Sequence, residues 1–281
     1  MSALQLVGAA ADFFGVDITR TFTPLIASSK PPWFTTLGLN VKRSEFEGMP
    51  VWTIQSPTPS DKTVIAIHGG AYILQPMVLH WLNYAALARD TGATVVVPIY
   101  PLAPQGTAAT VVPVIADFIT DEVDRNGADN VSVYGDSACG GLALAAMQEL
   151  VRRGDPTPAK MVLLSPWLDV TMADPRLASV KDPVLRSASL REAGLEWAGT
   201  LDPDDPRVSP INGSLAGLPP TTVYSGSLDL LSVDALRLRD TASSEGADFT
   251  FVLRSGVMHD WPILPLPEGF AVQKQLFGEL V

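Results

Sequence analysis

Ser137 lies in Tyr134-Gly135-Asp136-Ser137-Ala138-Cys139-Gly140-Gly141, directly after the β-branched run NVSVY and directly before LALAAMQELVRR. A strand-to-helix turn at this place lifts a hydroxyl to the end of a sheet. There it meets a helix N-terminus whose free N–H groups favour negative charge. Gly135 permits a strained turn, and Ala138 and Gly140 let the helix lie close on the strand. The pentapeptide falls one residue short of G-x-S-x-G, because Cys139 occupies its last position. Taken alone, the segment reads equally as a helix capped by a serine. His68-Gly69-Gly70-Ala71 follows a second apolar run, TVIAI. Small residues in such a loop leave backbone N–H groups open to an oxyanion, and the N–H of Ala138 supplies another.

A serine nucleophile needs a base, and the base needs an orienting acid. The chain has three histidines. His68 precedes the candidate oxyanion donors and is expected to hold their loop by bonding backbone. His80 sits between Leu79 and Trp81 in a helical stretch and is expected to be structural. His259 follows a strand, in Gly256-Val257-Met258-His259-Asp260-Trp261, and is the best base. Asp229, in Ser227-Leu228-Asp229-Leu230, ends another strand 30 residues earlier, so adjacent strand ends can join the two. Asp234 is a rival acid but falls inside the next helix, and Asp136 is expected to support the turn. No H-E-x-x-H is present, so no metal and no cofactor are expected.

The elements that must position these groups follow from periodicity. Thr63–Ile67, Thr94–Ile99, Asn130–Tyr134, Lys160–Ser165, Thr221–Ser225 and Phe249–Leu253 are short apolar runs of the kind covered on both faces. Helical spacing fills Met77–Arg89, Ala108–Val123, Ala138–Val151 and Leu230–Ser244. This alternation predicts an α/β fold with a mostly parallel, doubly wound sheet flanked by helices. Val51–Gln55 is expected to add an edge strand, with antiparallel pairing left open. Residues 1–48 and 171–212 break the alternation. Ligands bind outside the carboxyl ends of parallel strands, so these two stretches are expected to form a helical cap on a single domain spanning 1–281. Tyr72, Trp33, Phe34, Trp167, Trp197, Met77 and Trp261 fall on its loops or on the cap, and part of this set is expected to line the substrate cleft.

Composition narrows the partners. The chain is 47% hydrophobic and 17% charged, which is globular, and its net charge of −11 repels phosphate backbones and anionic lipid. No nucleic-acid partner is expected. Its single cysteine allows no internal disulfide. No run reaches the roughly 18 apolar residues of a membrane span. MSALQLVGAAADFFGV has no Lys or Arg ahead of its apolar run, and Asp12 interrupts it. It is expected to be an amphipathic helix of the fold in a cytoplasmic protein, with peripheral membrane contact and a homodimer left open.

HGGA, YPLAP, GDSACGG, SPWLDVT, SPING…GLPPT, GSLDLL and MHDW, in that order over about residues 60–275, resemble the hormone-sensitive-lipase-like esterases, bacterial family IV, of the α/β-hydrolase fold. The order Ser137, Asp229, His259 is that of α/β-hydrolases. The resemblance implies a carboxylic ester hydrolase with Ser137 as nucleophile, Asp229 as acid and His259 as base. It places oxyanion donors on Gly70, Ala71 and Ala138, with Gly69 shaping the loop, and implies a helical cap. It implies a small-molecule ester as substrate, of short to medium acyl length. A lactone or amide hydrolase on the same residues, or a non-catalytic small-molecule binder, are the rival readings. Cys139 departs from the family's usual glycine, so either the elbow is looser or the thiol points away from the crossing backbone. It is expected to be a buried, inert residue rather than an activated thiol.

Overall fold

The computed structural model describes residues 27–281. Residues 1–26, which include the N-terminal amphipathic segment, lie outside the described part. The β-branched runs become strands because their side chains find apolar cover on both faces. The described residues hold β1 (Asn40–Phe46), β2 (Met49–Gln55), β3 (Thr63–Ile67), β4 (Thr94–Pro98), β5 (Val131–Asp136), β6 (Lys160–Leu164), β7 (Thr221–Leu228) and β8 (Phe249–Met258). They form one sheet in the order β1-β2-β4-β3-β5-β6-β7-β8. β1, β2 and β4 pair antiparallel, and β4 through β8 run parallel.

The α-helices among the described residues are α1 (Val78–Thr91), α2 (Ala108–Asn126), α3 (Ala138–Arg153), α4 (Ser187–Ala198), α5 (Ser232–Glu245) and α6 (Pro267–Glu279). β3 shows how the sheet divides the core. Val64 and Ala66 join the layer under α1 and α6, with Trp81, Tyr84, Val272 and Leu276. Ile65 and Ile67 join the layer under α2, α3 and α5, with Val112, Ile115, Leu142 and Leu238. This is the period of two of a strand buried on both sides.

The connections then fix where a site can form. The chain leaves β3 through α1 toward β4, then returns through α2 past β3 to β5. From β5 onward each crossover steps the other way. β3 and β5 are neighbours whose connections diverge, with Ile67 beside Gly135 at their carboxyl ends. A crevice opens at such a switch point. The HGGA loop leaves one of these strands and the Ser137 turn leaves the other.

Two boundaries differ from the sequence reading. Residues 40–46, assigned to the cap, form edge strand β1, and Val51–Gln55, whose orientation the sequence leaves open, pairs antiparallel and lies one strand in from the edge. Lys42, Arg43 and Glu45 in NVKRSEF hide the strand signal because this edge strand is mostly exposed, which charges tolerate. The 171–212 stretch carries the expected short helix, α4. Its inner stripe Leu190, Ala193, Gly194, Trp197 and Ala198 has helical spacing. A Cβ on Gly194 would stand 2.7 Å from Val170 Cβ, so glycine is what lets this helix seat.

Candidate active site

Ser137 sits where β5 turns into α3, with φ 51° and ψ −123°. A non-glycine residue there stores about 1–3 kcal/mol of strain, which its surroundings must hold. Its N–H donates to Leu164 O (2.8 Å) and its carbonyl accepts from Trp167 N–H (2.8 Å). Gly135 lies directly against the Cys139 carbonyl, and a Cβ on Gly140 would come 2.7 Å from Pro166 Cβ. Strand, turn and helix are therefore packed too closely for side chains at these two positions.

His259 joins the three strand ends. Its Nδ1 lies 3.0 Å from Asp229 Oδ2 and its Nε2 lies 2.9 Å from Ser137 Oγ. Asp229 is fully buried, and its other oxygen accepts Leu231 N–H at 2.9 Å. An ionised carboxylate only accepts, so it holds the neutral imidazole with the proton on Nδ1. Nε2 is then the acceptor facing the Ser137 hydroxyl. Asp182, from the 171–212 stretch, braces this corner by accepting Leu230 N–H at 2.8 Å. Burial pulls the His259 pKa down, but the adjacent carboxylates of Asp260 and Asp229 more than reverse this and hold it well above 6.5. Asp260 Oδ2 stands 3.1 Å from the same Nε2. Sequence reasoning gave Asp260 no role, although it is the next residue in MHDW.

The HGGA loop is fixed from below. Gly69 N–H donates to both oxygens of Asp136, each at 3.1 Å. A Cβ on Gly69 would fall 2.9 Å from Ser137 Cβ, so only glycine lets the loop come this close. Gly70, Ala71 and Tyr72 follow at φ 126°, 52° and 65°. Among the described residues, no backbone acceptor takes the N–H of Gly70, Ala71 or Ala138.

The remaining histidines have supporting positions. His80 Nδ1 accepts Met77 N–H at 2.9 Å, leaving its Nε2 proton for Asp136 Oδ2 at 2.9 Å. Burial works against the charge of Asp136, but His80 and Gly69 N–H outweigh it and hold its pKa below the usual carboxylate range. His68 Nδ1–H donates to Gly69 O at 3.0 Å, and its ring stacks on Tyr100 at 4.7 Å. Burial lowers the His68 pKa to about 4, so the ring stays neutral. Asp234, the rival acid, is bound to Arg237 at 2.9 Å.

Cys139 is fully buried, with Sγ 3.0 Å from Tyr100 Oη, away from Gly135. Burial pushes its thiol pKa up, opposite to an activated cysteine. Native protein treated with iodoacetamide in mildly alkaline buffer should keep Cys139 unmodified by mass, and the urea-unfolded chain should take up the label. Rapid labelling of the native protein would contradict the buried thiol.

The aromatic candidates divide. Tyr72 and Trp197 stack face to face at 4.0 Å, with Trp167 beside Tyr72 at 5.6 Å, so α4 is fastened to the HGGA loop. Trp261 points instead into the core under α1 and α6, beneath Arg254 at 5.4 Å. Trp33 and Phe34 are exposed and touch each other edge to face. Their segment is tied through Leu37 O to Arg89, at the end of α1 remote from Ser137. The structure does not bring Trp33, Phe34 or Trp261 to the cluster. A cavity of about 600 Å³ lined by Pro113, Gln148, Arg152 and Arg207 contains none of its residues either.

A family model described as alpha/beta hydrolase fold matches residues 64–263, which hold every residue of this cluster. The chain belongs to that family. A triacylglycerol lipase of Mycobacterium tuberculosis is 47% identical over 91% of the chain, which spans only 57% of that relative. An acetyl-hydrolase of Streptomyces hygroscopicus is 33% identical over 73% of this hydrolase-fold chain and 71% of its own length. A solved esterase of the bacterial hormone-sensitive lipase family superimposes with TM-score 0.78 at 28% identity, covering 87% of this chain and 86% of its own. A hormone-sensitive lipase from a metagenome library gives TM-score 0.80 at 25% identity, over 86% and 83%. The fold and family expected from the motifs are therefore correct. No helix among the described residues is long and apolar enough to cross a membrane.

Proposed function

We propose that the protein is a serine carboxylic ester hydrolase acting on small esters of short to medium acyl length through an acyl-enzyme. The observation that carries this reading is the single imidazole bridging a strained serine, at 2.9 Å, and a buried carboxylate, at 3.0 Å. Ser137 Oγ attacks the ester carbonyl carbon while its proton passes to His259 Nε2. The oxyanion is received by the N–H groups of Gly70, Ala71 and Ala138. Asp229 keeps the proton on Nδ1 and stabilises the imidazolium. When the tetrahedral centre collapses, the bond to the alkoxy oxygen breaks and His259 gives the leaving alcohol its proton. Water, deprotonated by the same imidazole, then cleaves the acyl-enzyme. Residues 171–212, fastened by Trp197 on Tyr72 and Asp182 on Leu230, serve as the cap over this site.

Because His259 must be neutral to act, its position above 6.5 has a consequence with a definite sign. The neutral fraction falls as pH drops through the raised value, so the acid limb of kcat/KM should lie above pH 6.5. A limb centred at or below the free-imidazole value would contradict the arrangement. The relatives' names span acetyl-hydrolase and triacylglycerol lipase. A panel of p-nitrophenyl esters from acetate to palmitate tests the substrate class. Turnover concentrated on the shorter acyl chains is expected. Absence of turnover on every ester, with lactones or amides cleaved instead, would overturn it.

A further inference from the structure

The imidazole that faces Ser137 faces a second carboxylate on the same nitrogen. Nδ1 of His259 is committed to Asp229, while Nε2 has Ser137 Oγ at 2.9 Å and Asp260 Oδ2 at 3.1 Å. One nitrogen can exchange one proton, so the two oxygens compete for it. We propose that Asp260 is a positioning residue that holds the protonated Nε2 of His259 against Ser137, setting the pH at which the base is released and stabilising the imidazolium once it forms. This inference rests on the reading of Ser137 and His259 given above.

The geometry leaves the carboxylate little freedom to retreat. Asp260 has φ 53° and ψ 28°, left-handed values that aim its side chain back at His259. Its N–H donates to Ser165 Oγ at 3.0 Å, and Ser165 is fully buried. Asp260 is itself only 8% exposed, and its Oδ1 is buried without a hydrogen-bond partner among the described residues. A carboxylate so enclosed is costly as an anion unless a cation stands beside it. The proton on His259 supplies that cation.

With Nε2 deprotonated, Asp260 Oδ2 faces a lone pair and repels it, so the imidazole is made more basic. With one proton on the pair, Nε2–H is held by Asp260 and cannot accept from Ser137. In the transition state the proton arriving from Ser137 finds two carboxylates around the ring instead of one. The other titratable groups facing the pair are Asp136 and Tyr134 on β5, His80 and Tyr84 on α1, and Asp229 after β7. Burial drives both tyrosines far up, so they stay neutral. Asp136 and Asp229 push the Asp260 carboxyl toward its protonated form, and His259 opposes them. Burial, the largest influence, leaves it at about 6.

The test compares kcat/KM against pH for wild type, Asp260→Asn, Asp260→Gly and Ser137→Ala on p-nitrophenyl butyrate, with His259 followed by imidazole ¹⁵N NMR in the free proteins. Asparagine and glycine both accept a left-handed φ, so both variants suit the turn. The acid limb and the NMR midpoint of His259 are expected to move down together by about one pH unit, with a lower plateau rate. If Ser137→Ala is inactive while the Asp260 variants keep the wild-type midpoint in folded protein, this role is wrong. A uniform loss of rate with no midpoint shift would likewise mark Asp260 as structural only. If Ser137→Ala retains wild-type turnover, the esterase reading itself fails, separately from this proposal.

Discussion

Ser137→Ala is expected to lower kcat for a short p-nitrophenyl ester by about a million-fold, the scale seen when the nucleophile of a serine hydrolase is removed. The fold should survive. The hydroxyl makes one described contact, with His259 Nε2, whereas the turn is held through the Ser137 backbone by Leu164 and Trp167. Alanine has the same positive-φ cost as serine, so the strain is unchanged. Residual turnover from the oxyanion donors would remain above the rate in water. Thermal unfolding and circular dichroism matching wild type, with turnover lost, is the expected pair of results. Activity within tenfold of wild type would remove Ser137 from the chemistry.

Asp229→Asn is expected to cost about ten-thousand-fold in kcat, for a reason that lies in the proton positions. Asp229 accepts twice, from Leu231 N–H at 2.9 Å and from His259 Nδ1 at 3.0 Å. Asparagine has one acceptor and one donor end. Its oxygen keeps the Leu231 bond, and its NH₂ group then faces Nδ1. The imidazole must offer Nδ1 as an acceptor, which moves its proton to Nε2 and points it at Ser137 Oγ. The serine loses its acceptor while every heavy atom stays in place. Steady-state kinetics, with a fluorophosphonate labelling rate falling in parallel, measures this. Labelling at the wild-type rate would show that Asp229 does not set the tautomer.

The sequence was informative where burial is two-sided. TVIAI, NVSVY and KMVLL are mostly apolar, with Val, Ile, Leu, Met, Ala or Tyr at most positions, and all three become interior strands of the sheet. β1 escaped detection because it is mostly exposed: Lys42, Arg43 and Glu45 lie on a solvated edge strand, and only Val41 and Phe46 are partly buried. The positions of Ser137, Asp229 and His259 were legible because each follows a strand and parallel strand ends share one side of the sheet. Side-chain direction after those strands was not legible. Asp260 and Trp261 are consecutive, yet the left-handed turn at Asp260 sends its carboxylate to His259 and the indole into the core. Nothing in the spacing of MHDW encodes that turn. Likewise Trp33 and Phe34 looked suited to a cleft by type alone, and the fold leaves both exposed, in a segment whose Leu37 O accepts from Arg89.

The central claim is that the Ser137 hydroxyl is the atom that forms the covalent bond. Incubation of the native protein with a fluorophosphonate, followed by peptide mass mapping, tests it directly. One adduct is expected, on the peptide carrying Gly135-Asp136-Ser137-Ala138, with ester turnover lost in proportion to labelling. A folded protein that hydrolyses esters yet carries the adduct on another residue, or none at all, would contradict it.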